Sequence, residues 1–219
     1  MTFKAPDSLS EQIADYLAER IIRGELAPGE RIQEQKVTQA LNVSRGSVRE
    51  ALLILERRHL VAILPRRGAH VTKLDERSVR SLCSLMGEFY ILLGNAVAQK
   101  WRTEADLRPF LEIQQRLQCA HDQLDIKTFV ADSFAVMRAA YPFADNPFLQ
   151  ETVENLQPAM SRAYYLSLEQ RQANMIDYLD LFARLLDAVV ARDLPRIREV
   201  LTAYGQRSCE LVLAALARG

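Results

Sequence analysis

The 219-residue sequence predicts a mainly α-helical protein with one short β-hairpin in its first third. Two β-prone runs, residues 60–64 and 69–72, flank a short basic turn, which is the pattern of a hairpin. Beyond Leu74 apolar residues recur at helical spacing, and no further strand pattern follows. We therefore expect a mixed first domain, residues 1–74, and an all-helical second domain, residues 75–219.

The first predicted helix opens with a capping-box pattern, in which Ser8 or Ser10 is the cap and Glu11 follows closely. Gly24 ends this helix, because glycine readily adopts the left-handed conformation that terminates many helices. A short second helix is predicted over residues 34–41. The inner face of the first helix is formed by Ile13, Leu17, Ile21 and Ile22.

Residues 40–55 have the pattern of a tight turn between two helices. Asn42 tolerates the left-handed conformation that such a turn needs, and Ser44 is a preferred cap for a helix over residues 45–58. The apolar face of that helix is formed by Val48, Leu52 and Leu55. The opposite face is formed by Arg45, Ser47 and Arg49. Guanidinium groups at a helix N-terminus suit phosphates and guanine edges, so the pattern predicts a DNA-binding helix-turn-helix.

A hairpin that follows a helix-turn-helix is a wing, and its basic tip suits a phosphate or the minor groove. Residues 1–74 hold 12 Lys and Arg against 9 Asp and Glu, whereas the rest holds 16 against 19. The chain as a whole is neutral, which is typical of a regulator that touches DNA with one surface. The residues predicted to contact DNA are Ser44, Arg45, Ser47, Arg49, Arg66, Arg67, Gly68 and His70.

Six or seven helices are predicted in the second domain, and prolines fall near their starts or at kinks. The approximate ranges are 75–101, 104–121, 124–141, 147–165, 169–192 and 194–217. The prolines are Pro109, Pro142, Pro147, Pro158 and Pro195. An antiparallel bundle of this size can enclose a cavity between its helices.

Other features of the sequence exclude several classes of protein. Cys83, Cys119 and Cys209 are odd in number and far apart, so we expect buried thiols in a reducing cytoplasm rather than a disulfide framework. The N-terminus has no apolar signal core, and no apolar run approaches the ~20 residues that span a bilayer. No Ser-His-Asp or Cys-His set, glycine-rich phosphate loop or metal cluster suggests an enzyme. We therefore expect a soluble cytoplasmic protein that is not an enzyme.

Three motifs in the first domain resemble the winged helix-turn-helix domain of GntR-family bacterial transcription regulators. They are Ile21-x-x-Gly24-x-Leu26-x-Pro28-Gly29-x-x-Ile32, Val43-Ser44-Arg45-x-x-Val48-Arg49-Glu50-Ala51-Leu52 and Arg67-Gly68-x-x-Val71. The resemblance implies that the domain binds operator DNA as a dimer, with the recognition helix in the major groove and the wing in the minor groove. Gln35 stands where many members have an arginine, and glutamine can still read adenine or a phosphate. We include Gln35 among the predicted DNA contacts.

The second domain resembles the FCD ligand-sensing domain of the FadR-type branch in helix number, length and local patterns. Most members of that branch hold a divalent metal with one Asp and three His on facing helices. The matching positions are held by Ala131, Ala135, Phe182 and Tyr204. None of them supplies the imidazole or carboxylate that such a metal needs, and Asp132 is one residue out of register. We expect no metal in this fold position, and His121 is expected at the surface of a helix end.

The same comparison predicts the chemistry of the effector pocket. Tyr90 takes the place of an arginine that often holds an organic acid in metal-binding members, so a small carboxylate is not favoured. Acyl-CoA-sensing members also lack the metal, and by analogy the cavity accepts an apolar or amphipathic effector. The predicted lining residues are Phe89, Tyr90, Phe134, Ala135, Phe182 and Tyr204. The predicted polar anchors are Arg138, Asn155 and Arg162.

The resemblance therefore implies a homodimeric, ligand-responsive transcription regulator, and we expect a repressor that a small-molecule effector releases from its operator. Two alternatives remain open at this point. The aromatic residues could simply fill the core of the bundle, as aromatic residues at helical spacing usually do. The helical domain could also dimerise without sensing a ligand.

Overall fold

The computed structural model describes residues 8–170 and 174–218 of the chain. The helices are α1 (Leu9–Ile22), α2 (Glu34–Leu41), α3 (Arg45–Arg57), α4 (Glu76–Lys100), α5 (Glu104–Asp122), α6 (Ile126–Ala144), α7 (Pro147–Gln170), α8 (Asn174–Val190) and α9 (Leu194–Leu216). The strands are β1 (Arg31–Ile32), β2 (Val61–Leu64) and β3 (Gly68–Val71). The predicted fold class is confirmed: a helix-turn-helix with a wing precedes a helical unit.

The chain divides into two compact units whose first boundary lies at Leu74. One unit comprises Met1–Leu74 together with Asn155–Arg162, and the other comprises Asp75–Glu154 and Ala163–Gly219. The sequence-based bounds assigned all of residues 75–219 to the second domain. By contacts, Asn155–Arg162 of α7 group with the first unit, in which Arg162 Nη1 donates a hydrogen bond of 2.8 Å to the carbonyl oxygen of Thr72.

The first unit is held together by packing between α1 and α3. Ser8 caps α1, and its Oγ accepts a hydrogen bond of 3.2 Å from the backbone N–H of Glu11. Ser10 Oγ donates to Glu50 Oε2 at 2.6 Å, and Arg58 pairs with Asp15, so polar contacts also join the two helices. The shared apolar core includes Leu17, Ile21, Val48, Leu52 and Leu55. This core holds the predicted DNA-binding face of α3 outward.

The predicted tight turn between α2 and α3 spans three residues. Asn42 adopts the left-handed conformation, with φ 52° and ψ 48°, and its backbone N–H donates to the carbonyl oxygen of Thr38. Val43 packs partly buried against the core of the unit. Ser44 Oγ then accepts a hydrogen bond of 3.0 Å from Ser47 N–H and starts α3. Each feature that the local sequence predicted here is present.

The wing belongs to a three-stranded antiparallel sheet of order β1-β3-β2. Gly68 pairs with Leu64 at the hairpin end, so the turn has three residues. Arg66, with φ 61°, lies in the left-handed region, and Arg67 N–H donates to the carbonyl oxygen of Leu64 at 3.1 Å. The strand β1, which pairs with β3 through Arg31 and His70, was not predicted because two residues are too few to show alternation.

The second unit is built around α4, which packs against α9, α6 and α8. The helices α5 with α6, α8 with α9 and α5 with α8 also pack against each other. Asp75, Asp125 and Asp193 cap the helices that follow them. Within the described residues, α4 is the one helix long and apolar enough to cross a membrane, a criterion of length and composition that core helices also meet.

Three helix bounds differ from the sequence-based ranges by three residues or more: the ends of α6 and α7, and the start of α8, which is Asn174 rather than residue 169. α6 continues to Ala144, beyond the predicted end at residue 141, because Pro142 is accommodated inside the helix and the left-handed Asp145 ends it. α7 continues to Gln170 rather than residue 165 and contains Pro158. A proline removes one backbone donor without ending a helix when the packing around it is favourable.

Leu124 gives a test of helix termination in the second unit. It has φ 56° after α5 and is 57% exposed, so its side chain adds little burial to offset left-handed strain. We expect Leu124→Gly to be more stable than Leu124→Ala by about 0.5–1 kcal/mol, because glycine avoids that strain at a smaller entropic cost. Urea unfolding of the two variants measures the difference.

The matched control is Leu111, which is also exposed but lies inside α5. There the order should reverse, with Leu111→Gly less stable than Leu111→Ala by about 0.8–1 kcal/mol. If glycine were the less stable residue at both positions, the conformation assigned to Leu124 would be wrong.

Candidate DNA-binding surface and effector site

The N-terminus of α3 presents the residues predicted to read DNA. Ser44, Arg45 and Arg49 are exposed and Ser47 is half-buried, with its Oγ 2.9 Å from Ser44 Oγ. Arg45 has no side-chain partner among the described residues. The free backbone N–H groups of a helix N-terminus and its positive dipole end attract phosphate oxygens. Gln35, on α2, is also exposed.

Arg49 has a partner within the first unit. Its Nε donates to Glu34 Oε2 at 2.9 Å, which joins α3 to α2 across the helix-turn-helix. The Arg49 side chain remains 69% exposed, and such a solvated ion pair contributes at most about 1 kcal/mol. A DNA phosphate or guanine edge can therefore displace Glu34 at little cost. The sequence-based assignment of Arg49 did not identify this competing carboxylate.

The wing carries a basic surface larger than the sequence indicated. The side chains of Arg66 and Arg67 are exposed at its tip. Arg31 of β1 lies beside Gly68 at the end of the hairpin, because a β-carbon on Gly68 would be 3.5 Å from Arg31 Nε. Arg31 was missed as a candidate DNA contact. The alternation of an exposed Arg31 and a buried Ile32 could have identified it had the short strand been recognised.

His70 is placed differently from the other wing residues. Its half-buried ring has Nδ1 3.2 Å from the carbonyl oxygen of Gly29 and Nε2 3.3 Å from that of Arg67. A neutral imidazole has one N–H and can satisfy only one of these acceptors, whereas imidazolium can satisfy both. The imidazole therefore lies between the backbone of the wing tip and that of the turn before β1.

A cluster of aromatic rings occupies the interior of the second unit, and we call it the aromatic cluster. Tyr178 is its hub, with ring centroids 5.6 Å from Phe129 and Tyr204, 6.1 Å from Tyr164 and 6.4 Å from Phe182. Edge-to-face and offset ring pairs at these distances are favourable beyond their burial. The members are Phe129, Phe134, Tyr164, Tyr178, Phe182 and Tyr204.

The hydroxyl groups of the cluster bond to protein atoms. Tyr178 OH donates to the carbonyl oxygen of Ser133 at 3.0 Å, and Tyr204 OH donates to Tyr164 OH at the same distance. Burial raises the pKa of all of these phenols, and that of Tyr90, whose neighbours include Tyr204. The interior is therefore a set of neutral hydrogen-bonding groups on an apolar wall.

The structure brings together only some of the predicted pocket residues. Phe134, Phe182 and Tyr204 belong to the aromatic cluster, and Tyr90 keeps accessible surface although its pKa is strongly raised by burial. Phe89 and Ala135 are half-buried. Phe129, Tyr164 and Tyr178 were missed, although the spacing of Tyr178 and Phe182 by one helical turn placed these two on one face.

The three predicted polar anchors lie elsewhere. Asn155 and Arg162 belong to the first unit, where burial lowers the pKa of Arg162 and its guanidinium donates to the carbonyl oxygen of Thr72. Arg138 is exposed and lines a separate cavity of about 580 Å³ at the junction of α6 and α7. Tyr141 also lines that cavity, and its buried hydroxyl has no hydrogen-bond partner among the residues that the structure describes.

The residues that the sequence resemblance assigns to the metal position of the FCD branch include two side chains with other partners in the structure. Phe182 stacks on Tyr178, and Tyr204 hydrogen-bonds to Tyr164, so both contribute to the aromatic cluster. The carboxylate of Asp132 accepts a hydrogen bond of 2.9 Å from Arg116 Nε. Across the described ranges, no three His, Cys, Asp or Glu side chains are grouped as metal ligands. A metal needs imidazole or carboxylate donors that these positions do not offer.

Comparison with known proteins gives the family. Residues 9–71 match the family model described as bacterial regulatory proteins, gntR family, and residues 92–207 match the FCD domain. The chain is 27% identical over 213 residues to the HTH-type transcriptional repressor RspR of Escherichia coli strain K12, covering 93% of this chain and 89% of RspR. It is 25% identical over 206 residues to the HTH-type transcriptional regulator McbR of the same strain, covering 94% and 93%.

A solved structure of E. coli McbR/YncC shares the fold, with a TM-score of 0.80 and 22% identity over 94% of this chain and 98% of that chain. The matched domains and relatives are transcription regulators and not enzymes. The chain therefore belongs to the GntR family of bacterial regulatory proteins, as a DNA-binding transcription regulator that carries an FCD effector-binding domain.

Proposed function

We propose that the protein is a homodimeric repressor that leaves its operator when a small-molecule effector binds in residues 75–219. The observation that carries the DNA-binding part is the exposed, serine-capped N-terminus of α3 with Arg45 and Arg49 beside it. Two recognition helices would lie about one DNA turn apart, ~34 Å, on a two-fold operator. The protein would act in the cytoplasm, where bacterial operator DNA lies.

The proposed contacts divide between base reading and backbone positioning. Arg45 and Arg49 would contact bases or phosphates, Gln35 an adenine or a phosphate, and the two serines at the start of α3 would contact phosphates. The wing would use Arg66 and Arg67, and Gly68 would let its backbone approach the DNA closely. His70 would act through the conformation of the wing.

The proposed dimer is supported by apolar surface on α4. Leu85 and Leu92 are 45% and 53% exposed and lie seven residues apart, which places them on one stripe of the helix. A second copy of the chain that covers this stripe would remove it from water. Sedimentation equilibrium of the wild type and of Leu85→Glu/Leu92→Glu would show a dimer for the first and a monomer for the second.

Operator binding is tested by fluorescence anisotropy with fragments selected from a genomic library by the purified protein. A specific duplex should bind with two chains per site, and its affinity should fall steeply as salt rises, because phosphate contacts release counterions. A protein that selects no duplex, or whose binding is insensitive to salt, would contradict the proposal.

The proposed effector is apolar or amphipathic and can include an acyl chain. Neutral phenols at the aromatic cluster can hydrogen-bond to a polar group, and the rings offer apolar contact. A thermal-shift screen should compare fatty acids, acyl-CoA thioesters and aromatic compounds with small carboxylates and divalent metals, with a chelator as the control. Stabilisation by the first three groups supports the proposal, because a ligand that binds only the folded state raises its melting temperature.

The alternative function, dimerisation without sensing, is favoured by the direct packing of rings around Tyr178. It predicts that no compound in the screen raises the melting temperature or lowers operator affinity. If metals raised the melting temperature, or the chelator lowered it, the protein would bind a metal. The four positions that the sequence resemblance matches to the metal ligands would then be the wrong ones.

Glu34→Gln is expected to tighten DNA binding by up to about 1 kcal/mol, roughly fivefold. The change releases Arg49 from its ion pair and removes a negative charge from the DNA-facing side of the helix-turn-helix. Anisotropy titrations at two salt concentrations measure the effect. Glu25→Gln is the control, because Glu25 pairs with Arg20 at 3.1 Å elsewhere in the unit and should leave affinity unchanged. Unchanged or weaker binding by Glu34→Gln would contradict the assigned role of Arg49.

A further inference from the structure

Two of the three cysteines meet between the first and last helices of the second unit. Cys83 lies on α4 and Cys209 on α9, and both are almost completely buried. They line the same cavity of about 330 Å³ together with Arg80, Glu88 and Glu210. Cys209 is among the groups that raise the pKa of Cys83, which is consistent with two neighbouring thiols. The fold thus brings two cysteines that are 126 positions apart in the sequence to the same cavity.

The packing of α4 on α9 brings the two backbones close along this line. A β-carbon on Gly94 would be only 3.0 Å from Ile197 Cγ2. Cys83 lies about three helical turns before Gly94, and Cys209 lies about three turns after Ile197. Because α4 and α9 run antiparallel, the contact between Gly94 and Ile197 also brings Cys83 near Cys209. Gly87 and Gly205 lie between these ends and line the cavity, which leaves a path to the thiols.

The two thiols have different surroundings. The pKa of Cys83 is raised to about 12, mainly by burial and in addition by the neighbouring Cys209. Arg80, whose pKa is raised mainly by its hydrogen bond to Glu76, also interacts with Cys209 and Glu210. Cys83 is therefore held as the neutral thiol, whereas a guanidinium lies near Cys209, and positive charge beside a sulfur is typical of reactive cysteines.

We propose that Cys83 and Cys209 form a peroxide-reactive dithiol that closes into a disulfide between α4 and α9. The Cys209 thiolate attacks one oxygen of hydrogen peroxide and becomes a sulfenic acid, and the hydroxide that leaves takes up the proton released from the Cys209 thiol and becomes water. The Cys83 sulfur then attacks the sulfenic sulfur. The S–S bond forms, and the sulfenic hydroxyl leaves with the Cys83 proton as a second water.

The atoms and electrons of these steps balance, and the two thiols take different roles because their surroundings differ. Two thiols lose two electrons, and hydrogen peroxide gains them to give two molecules of water. Once Cys209 has become a neutral sulfenic acid, its charge no longer opposes ionisation of Cys83, so the second thiol becomes the better nucleophile at that moment. The proposal concerns α4 and α9 alone and is independent of the proposed operator and effector.

The test uses the full-length protein and hydrogen peroxide. Reduced protein is treated with peroxide, its remaining thiols are alkylated, and the digest is analysed by mass spectrometry without reduction. The expected product is a peptide pair joined through Cys83 and Cys209, with the intact chain lighter by two hydrogens and restored by dithiothreitol. Cys119 is the internal control, because it is exposed on α5 and has no thiol partner among the described residues.

Two serine variants separate the steps, and both are made in a Cys119→Ser background. Cys83→Ser should stop at a Cys209 sulfenic acid that dimedone labels, whereas Cys209→Ser should react with peroxide far more slowly. Circular dichroism and melting temperature establish that each variant is folded. Peroxide treatment that oxidises Cys119 but leaves Cys83 and Cys209 unlinked in the wild type would overturn the proposal, as would linkage that occurs only after denaturation.

Discussion

Replacing Arg49 with alanine is expected to weaken operator binding by about 1–3 kcal/mol, or roughly 5- to 150-fold. Arg49 is exposed at the start of α3, and its guanidinium can turn from Glu34 to DNA at little cost. The fold should survive, because a solvated ion pair contributes at most about 1 kcal/mol to stability. Anisotropy against the selected operator measures the loss, and the salt slope should fall by about one counterion if the contact is to a phosphate.

Arg23→Ala is the matched control for this prediction. Arg23 also forms a surface ion pair, with Glu19 at 2.6 Å, but it lies at the end of α1. Both variants lose one positive charge and one ion pair, so only the variant at the DNA-binding face should lose specific affinity. Operator affinities that are equal for the two variants would remove Arg49 from the recognition surface.

The helix-turn-helix could be predicted in detail because its determinants are local. Asn42 supplies the left-handed turn, Ser44 supplies the cap, and each interaction joins residues three or four positions apart. The hairpin was similarly visible, since its turn and both strands are consecutive in sequence. The capped helices of the second unit followed from the period of their apolar residues.

The features that were missed depend on contacts between distant parts of the chain. The strand β1 exists because Arg31 pairs with His70, and Cys83 meets Cys209 because α4 packs on α9. Cys119 was expected to be buried with the other cysteines, but it lies on the exposed face of α5. Helical periodicity places a residue on a face without specifying which other helix, if any, covers that face.

The position of Tyr178 at the centre of the aromatic cluster is another such long-range feature. Replacing this residue is expected to cause the largest loss of stability. Tyr178→Ala should lower the free energy of unfolding by about 3–5 kcal/mol, because a buried ring is lost and a cavity remains between four other rings. That is a large fraction of the ~5–15 kcal/mol by which domains are typically stable. Urea unfolding followed by far-ultraviolet circular dichroism measures the change.

Tyr178→Phe distinguishes the contribution of the ring to stability from that of the hydroxyl group. It keeps the ring contacts and loses the hydrogen bond to the carbonyl oxygen of Ser133, so a loss of only about 0.5–1.5 kcal/mol is expected. A large difference between the alanine and phenylalanine variants would show that packing of the aromatic cluster stabilises the second unit. An alanine variant that lost less than about 1 kcal/mol would mean that Tyr178 is not enclosed by the rings around it, since a cavity in a close-packed interior always costs more than that.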